Sequence, residues 1–132
     1  IHDLNYPNRN EILKQFTAFT FSMHEANINF LDHSPGNTLI VKTQKNQYDF
    51  YLIDLNRMRF ENLNFNQRMH NIRRLWPSKY MIKIMATNYS ILSRKPFEET
   101  YSLMLKYSRI FKKKVNSKKL RKRGQKLQFK LD

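Results

Sequence analysis

The sequence predicts an α+β fold that is predominantly α-helical, with a short β-hairpin at about residues 37–54 and about four helices. Apolar residues recur at helical spacing in four segments of the chain. Two strand-like runs, at residues 38–43 and 48–54, flank a polar segment that is typical of a hairpin turn. At 132 residues the chain has the size of one domain and enough material to bury a core.

The first predicted helix runs from about Arg9 to Ala26. We expect Asn8 to cap its start and Glu11, three residues on, to reach back to the same turn. One apolar stripe faces the core: Ile12, Phe16, Phe19, Met23 and Ala26. His24 lies at the end of this helix, where a structural role is favoured over metal binding.

The hairpin predicts which residues meet at its open end. A turn centred between Lys45 and Asn46 places Asn37 and Asp54 at equal distances along the two strands. We therefore expect Asn37 and Asp54 to face each other.

Three helices are predicted after the hairpin. The first is capped by Asn66 and ends at Pro77, the second begins at Ser78, and the third follows Pro96. Their inward residues are Met69, Ile72 and Leu75 or Trp76, then Met81, Ile82, Met85, Tyr89 and Leu92, then Phe97, Tyr101, Met104, Ser108 and Phe111.

A short loop between apolar segments holds Asp32 and Asn37, a carboxylate and a carboxamide five residues apart. This is the spacing of a phosphotransferase catalytic loop, in which the Asp accepts a hydroxyl proton and the Asn binds a metal ion. Asp54 could share a hard cation such as Mg²⁺ with Asn37. The alternative is a polar turn fixed by Pro35 and Gly36.

Residues 23–37 and 52–59 resemble the bacterial lipopolysaccharide core kinase family, whose members phosphorylate Kdo or heptose sugars. The resemblance covers roughly residues 9–76 and implies the carboxyl-terminal lobe of a protein-kinase-like fold. It also implies that Asp32 is the catalytic base, that Asn37 is a metal ligand, and that Asp54 is the metal-binding Asp of the D-F-G motif. The cofactors it implies are ATP and Mg²⁺, and the implied acceptor is a lipid-linked sugar of the inner core.

Some positions depart from the protein kinase pattern. Phe30 stands where those kinases have His or Tyr, Leu55 and Asn56 replace Phe-Gly, and Ser34 replaces a Lys. The chain has two glycines, so a Gly-rich phosphate loop cannot form within it. We therefore expect a missing amino-terminal lobe upstream, no turnover by this chain alone, and self-association through an exposed apolar face.

Arg57 and Arg59 follow the proposed metal site closely in sequence. An arginine fork matches phosphate geometry, so either residue could orient a nucleotide or a phosphorylated sugar. The alternative is that one of them pairs with Asp32 or Asp54.

The formal net charge of +15 is concentrated at the end of the chain. Residues 100–131 hold twelve Lys or Arg and no Asp or Glu, whereas residues 1–99 hold thirteen basic and nine acidic residues. We divide the chain into a kinase-like core (1–99) and a terminal helix with a basic tail (100–132). The densest basic positions are Lys112, Lys113, Lys114, Lys118, Lys119, Arg121, Lys122 and Arg123.

This basic tail could bind an anionic membrane surface or nucleic acid, and nucleic acid is the less favoured partner. A solvated, partly disordered end is the alternative. The chain has no cysteine and no apolar run of 18 residues. We expect a cytoplasmic protein, peripheral at the inner face of the bacterial inner membrane.

Three functions follow from these patterns. The first is a lipopolysaccharide sugar kinase. The second is another protein-kinase-like phosphotransferase, acting on a protein or a small molecule with the same base and metal ligands. The third is a non-catalytic basic module that binds nucleic acid or membrane.

Overall fold

The computed structural model describes the backbone of residues 6–131 and the side chains of residues 6–124. Over this range it contains four helices: α1 (Arg9–Glu25), α2 (Phe65–Ile72), α3 (Lys79–Ser93) and α4 (Phe97–Leu131). The strands are short and form two separate antiparallel pairs. The predicted α+β, predominantly helical fold is confirmed.

The hydrophobic core lies where α3 packs between α1 and α4, with α2 against α4. Most of the predicted inward positions are buried, whereas Ala26 and Leu92 are exposed. Ala26 follows the last helical residue of α1, and Leu92 lies in the last turn of α3, so both have left the packed part of their helix. The core residues are Leu13, Phe16, Met69, Ile72, Leu75, Met81, Ile82, Met85, Ala86, Tyr89 and Met104.

The start of α1 differs from the prediction. Asn8 has a left-handed backbone (φ 58°) and makes no capping hydrogen bond. Its side-chain amide instead donates to Asn46 Oδ1 (2.9 Å) and to the Tyr48 hydroxyl (3.1 Å), while Glu11 accepts a bond from Gln15 (2.9 Å). The predicted capping box is wrong because the contact with the hairpin turn takes the Asn8 side chain.

The caps of the next two helices lie close to the predicted positions. α2 begins two residues earlier than expected, with Asn64 and Gln67 forming a reciprocal capping box. Ser78 caps α3 as predicted, its hydroxyl accepting from the Met81 amide at 3.2 Å. A 3₁₀ turn, Arg73–Leu75, extends α2 towards Pro77.

The predicted hairpin is formed by β2 (Thr38–Gln44) and β3 (Gln47–Leu52). A β-bulge between Lys42 and Gln44 shifts the register by one residue. As a result the Ile53 amide donates to the Asn37 carbonyl at 2.9 Å, and Asp54 lies one residue beyond. The prediction that Asn37 and Asp54 face each other is therefore wrong by one residue.

The other strand pair brings two distant segments together. β1 (Ile28–Phe30) ends just before the loop that carries Asp32, and it pairs with β4 (Met58–Phe60). This pairing brings the segment after Asp54 alongside the entrance of the Asp32 loop.

The basic end of the chain belongs to one continuous helix. α4 runs from Phe97 to Leu131, so the described backbone of the tail is helical. It begins three residues before the predicted boundary at 99/100, and the two-domain division stays a prediction. Asp132 lies outside the described residues. Across the described range, none of the helices has the length and apolar character required to cross a bilayer.

Candidate active site

Asp32 and Asn37 lie on the loop between β1 and β2, and their side chains are in contact. The Asn37 amide nitrogen donates to Asp32 Oδ2 at 2.8 Å and to the Asp32 carbonyl at 3.1 Å. The 3₁₀ turn Pro35–Asn37 folds the loop back and permits this contact. Among the described residues, nothing donates a hydrogen bond to the Asn37 amide oxygen, which leaves that oxygen available to a cation.

Asp54 lies on the segment that follows the hairpin. Its side chain is exposed, and its backbone is left-handed (φ 61°), a conformation that Asp tolerates better than most residues. The segment is held at both ends: Ile53 bonds the Asn37 carbonyl, and the Arg57 carbonyl accepts from the Leu31 amide at 2.8 Å. Because these two attachments flank the Asp32 loop, Asp54 lies beside that loop.

A buried chain of hydrogen bonds fixes the backbone just before Asp32. Asn71 of α2 donates to the Phe30 carbonyl at 2.8 Å, so its amide oxygen faces His24 Nε2, also at 2.8 Å. These partners assign the proton to Nε2, and His24 Nδ1 then accepts from the Tyr89 hydroxyl at 2.8 Å. Burial lowers the pKa of His24 to about 4 and raises that of Tyr89 to about 12.

His24 therefore has a structural role, as expected, although it reaches the loop backbone through Asn71. The sequence analysis did not identify Asn71. The sequence feature that could have identified Asn71 is its position as a polar residue between Met69 and Ile72, two buried positions of α2.

His33 anchors the other side of Asp32. Its ring is fully buried, stacks on Phe16 with ring centroids 5.3 Å apart, and has Nε2 3.1 Å from Thr20 Oγ1. Burial lowers the pKa of His33 to about 3, so the ring is neutral at physiological pH. With His33 held in the core, Asp32 stays at the surface, where 34% of its side chain is exposed.

The cation beside Asp32 is Arg74, not Arg57 or Arg59. Arg74 Nη1 lies 4.0 Å from Asp32 Oδ1. Arg57 and Arg59 are exposed, and neither forms an ion pair with a described residue. The alternative in which one of them pairs with Asp32 or Asp54 is thus wrong within the described range, and their binding of phosphate stays a prediction.

One of the predicted tail residues belongs to the packed fold. Lys112 is partly buried, donates to the Pro77 carbonyl at 2.5 Å, and lies 5.6 Å from the centre of the Trp76 ring. Burial lowers the pKa of Lys112. The other seven predicted basic residues are exposed along α4: Lys113, Lys114, Lys118, Lys119, Arg121, Lys122 and Arg123.

The described residues form helices packed around a short loop and a hairpin, which is an α+β, mostly helical arrangement. The model of the lipopolysaccharide kinase (Kdo/WaaP) family matches residues 2–95, which is more than half of the chain. The chain therefore belongs to the lipopolysaccharide kinase (Kdo/WaaP) family, and the resemblance predicted from the sequence is confirmed. Membership of a kinase family implies the use of ATP. No curated protein and no solved structure matches the chain.

The matched range includes Asp32, Asn37, Asp54 and Arg74 and ends before α4 begins. The basic half of α4 thus lies outside the part of the chain that the family defines.

Proposed function

We propose that this chain carries the catalytic residues of an ATP-dependent kinase that phosphorylates a hydroxyl of a Kdo or heptose sugar in the lipopolysaccharide inner core. The observation that carries the proposal is the contact between Asp32 and Asn37, 2.8 Å, on a loop held from the core by His24, Asn71 and His33. A base and a metal ligand are thereby fixed side by side at the surface.

Asp32 is positioned to act as the base. Its Oδ2 already accepts a bond from Asn37, whereas no described residue donates a hydrogen bond to Oδ1, so we assign to Oδ1 the proton of the sugar hydroxyl. The hydroxyl oxygen bonds to the γ-phosphorus of ATP as the bond between that phosphorus and the β-phosphate oxygen breaks, and ADP leaves with the electron pair. General base catalysis of this kind typically contributes roughly 10²–10⁴-fold in rate.

Asn37 and Asp54 fit a hard divalent cation. The Asn37 amide oxygen has no hydrogen-bond donor and the Asp54 carboxylate no ion-pair partner among the described residues. Such oxygen ligands suit Mg²⁺, which when bound would neutralise charge on the nucleotide phosphates. Asn37 precedes β2 and Asp54 follows β3, so the two residues would hold the cation at the hairpin's open end although they are one residue out of register.

An exposed apolar face of the hairpin supports nucleotide binding next to these ligands. Leu39 lies opposite Tyr51, and the alternation of strand side chains places Val41 and Ile53 on the same face. All four are at least 40% exposed. We infer that an adenine ring and an upstream phosphate-gripping lobe cover this hairpin face, and that copies of the chain lacking such a lobe self-associate through it.

The exposed cations of α4 support action at a membrane surface. A lipid-linked acceptor lies at the interface, and each Lys or Arg near an anionic surface contributes about 1 kcal/mol of attraction. We therefore propose a cytoplasmic enzyme at the inner face of the inner membrane.

The membrane step is tested with vesicles containing phosphatidylglycerol or phosphatidylcholine alone. Lys118→Gln combined with Lys119→Gln should reduce co-sedimentation with the anionic vesicles, while Lys79→Gln combined with Lys83→Gln, which removes two exposed cations of α3, should not. Equal loss of binding in both double variants would contradict a specific role for α4. Stronger binding to RNA than to the vesicles would contradict the membrane surface as its partner.

The activity is tested by incubating the full-length protein with labelled ATP, Mg²⁺ and lipid acceptors bearing Kdo or heptose. Transfer of label to the sugar, absent in Asp32→Asn, is the expected result. Label on protein acceptors alone would favour another kinase activity, and metal-independent nucleotide binding without transfer would contradict a catalytic role.

A further inference from the structure

Arg74 belongs to a group of three cations that surround two aromatic rings near Asp32. The guanidinium carbons of Arg73 and Arg74 lie 5.4 and 5.5 Å from the centre of the Phe111 ring. Phe111 meets Trp76 edge to face with ring centroids 5.9 Å apart, and Lys112 lies over Trp76. We call Arg73, Arg74 and Lys112 the cationic cluster.

Two members of the cationic cluster have protein acceptors. Arg73 donates to the His70 carbonyl at 2.9 Å and lies 3.1 Å from His70 Nδ1. Lys112 donates to the Pro77 carbonyl. The Arg73 bonds are local to the end of α2, whereas the Lys112 bond joins α4 to the segment before α3.

Arg74 is different because its donors are uncommitted. It makes no hydrogen bond to a described residue, and its buried Nε has no acceptor there. Its approach to Asp32, 4.0 Å, is longer than a hydrogen bond, and 35% of its side chain is exposed. A guanidinium held by packing on a ring, with free donors at the surface, is suited to a planar anion.

The position of Arg74 relative to Asp32 defines which part of a bound acceptor Arg74 would contact. Asn37 donates to Asp32 Oδ2, and the oxygen assigned to the reacting hydroxyl is therefore Oδ1, which faces Arg74. A substituent next to that hydroxyl would lie within reach of the Arg74 fork. The cationic cluster sets three positive charges against one carboxylate, which favours a negatively charged substituent.

We propose that Arg74 binds an anionic substituent of the acceptor, a carboxylate or a phosphate adjacent to the reacting hydroxyl. Arg74 then selects acidic sugars over neutral ones and sets their orientation at Asp32. This inference rests on the proposed kinase function, because the anion reaches Arg74 only when the acceptor hydroxyl is bound at Asp32.

The chain provides its own reporter for this binding. Trp76 is its single tryptophan and contacts Phe111, on which Arg74 packs. Titration of the chain with Kdo should change the Trp76 fluorescence, and the methyl ester of Kdo, which lacks the carboxylate charge, should bind more weakly. A phosphorylated heptose compared with the unphosphorylated sugar tests the phosphate in the same way.

Arg74→Gln should weaken binding of the acidic sugar by roughly ten- to a hundredfold, since a charge-assisted hydrogen bond is lost. The same variant should leave the weak binding of the neutral ester unchanged. Arg74→Lys keeps the charge but lacks the planar guanidinium, so its affinity for the acidic sugar should lie between those of the unaltered chain and Arg74→Gln. Arg109→Gln, which removes an exposed cation of α4, is the matched control and should bind like the unaltered chain.

Equal affinity of the unaltered chain for the acid and its ester would overturn the proposal, and so would unchanged discrimination in Arg74→Gln. In the kinase assay, Arg74→Gln should raise KM for the acidic acceptor far more than for ATP. Absence of transfer to any sugar by the unaltered enzyme would refute the kinase function, whereas the fluorescence titration decides the role of Arg74 without turnover.

Discussion

His24 and Asn71, 47 residues apart in the sequence, meet in the core with Nε2 of the histidine 2.8 Å from Oδ1 of the asparagine. The same asparagine donates to the Phe30 carbonyl, two residues before Asp32. The position of the proposed base is therefore set by a polar chain that crosses the interior from α3 to the loop. A buried chain of this kind is stabilising only while every member has a partner.

Removal of Asn71 should destabilise the fold. Asn71→Leu leaves the Phe30 carbonyl and the His24 Nε2 proton buried without partners, which should lower the free energy of unfolding by roughly 2–3 kcal/mol. Urea denaturation measures the change, and Asn66→Ala, at an exposed position of the same helix, is the control. Equal stability of the two variants would show that the buried bonds contribute little.

Acidification should destabilise the protein through its two buried histidines. Both have folded-state pKa values, about 4 for His24 and about 3 for His33, that lie below the unfolded value of 6.5. A lowered histidine pKa means that the unfolded chain binds more protons below pH 6.5, so stability is full above that pH. It falls as the pH drops towards the folded values, by roughly 1.4 kcal/mol per pH unit for each histidine.

Denaturation curves between pH 7 and pH 5 test this slope above the range in which most carboxylates titrate. His33→Leu removes one titrating ring without adding a charge, so the slope should be about half that of the unaltered protein. An unchanged slope would show that His33 is not buried and neutral in the folded state.

What the sequence could predict depends on how local each feature is. The Asp32 loop, the Ser78 cap and the hairpin strands are encoded within a few residues, and all were predicted. The prediction that Asn37 and Asp54 face each other was wrong because a single bulge residue near Lys42 changes the strand register. The residues at this bulge have no distinctive composition that would reveal it in the sequence.

The contacts of Asn71 and Arg74 could not be predicted because they join elements that are distant along the chain. Periodicity identifies which helix face is buried, but it does not say which polar residue on that face meets which loop. Asn8 is a further example: its place before α1 predicted a helix cap, but its side chain bonds to the distant Asn46 instead.

Asp32→Asn should lower phosphate transfer by roughly 10²–10⁴-fold, because the amide cannot accept the proton of the hydroxyl. Folding should be preserved, since Asp32 is partly exposed and its ion pair with Arg74 is long. The assay compares kcat and the unfolding midpoint with those of Glu99→Gln, which changes an exposed carboxylate of α4. Turnover close to that of the control would remove Asp32 from the mechanism.

Asp54→Asn should weaken binding of ATP with Mg²⁺ more than binding of ATP without the metal. The substitution removes the charge that would face the cation, while Asn tolerates the left-handed backbone of this position. Calorimetric titrations of the full-length protein with and without Mg²⁺ separate the two effects. If both affinities fell by the same factor, Asp54 would have a structural role instead.

The apolar face of the hairpin should drive self-association of this chain in isolation. Leu39 and Tyr51 lie opposite each other, and each is 53% exposed. Leu39→Lys places a charge in the middle of this face, so it should shift sedimentation at high protein concentration towards the monomer, and the high positive charge of the chain should make association stronger with added salt. Leu120→Lys, which changes an exposed leucine of α4, should leave the association state unchanged. A chain that stays monomeric at every concentration would contradict self-association through the hairpin face. Association that is lost only in Leu120→Lys would place the contact on α4 instead.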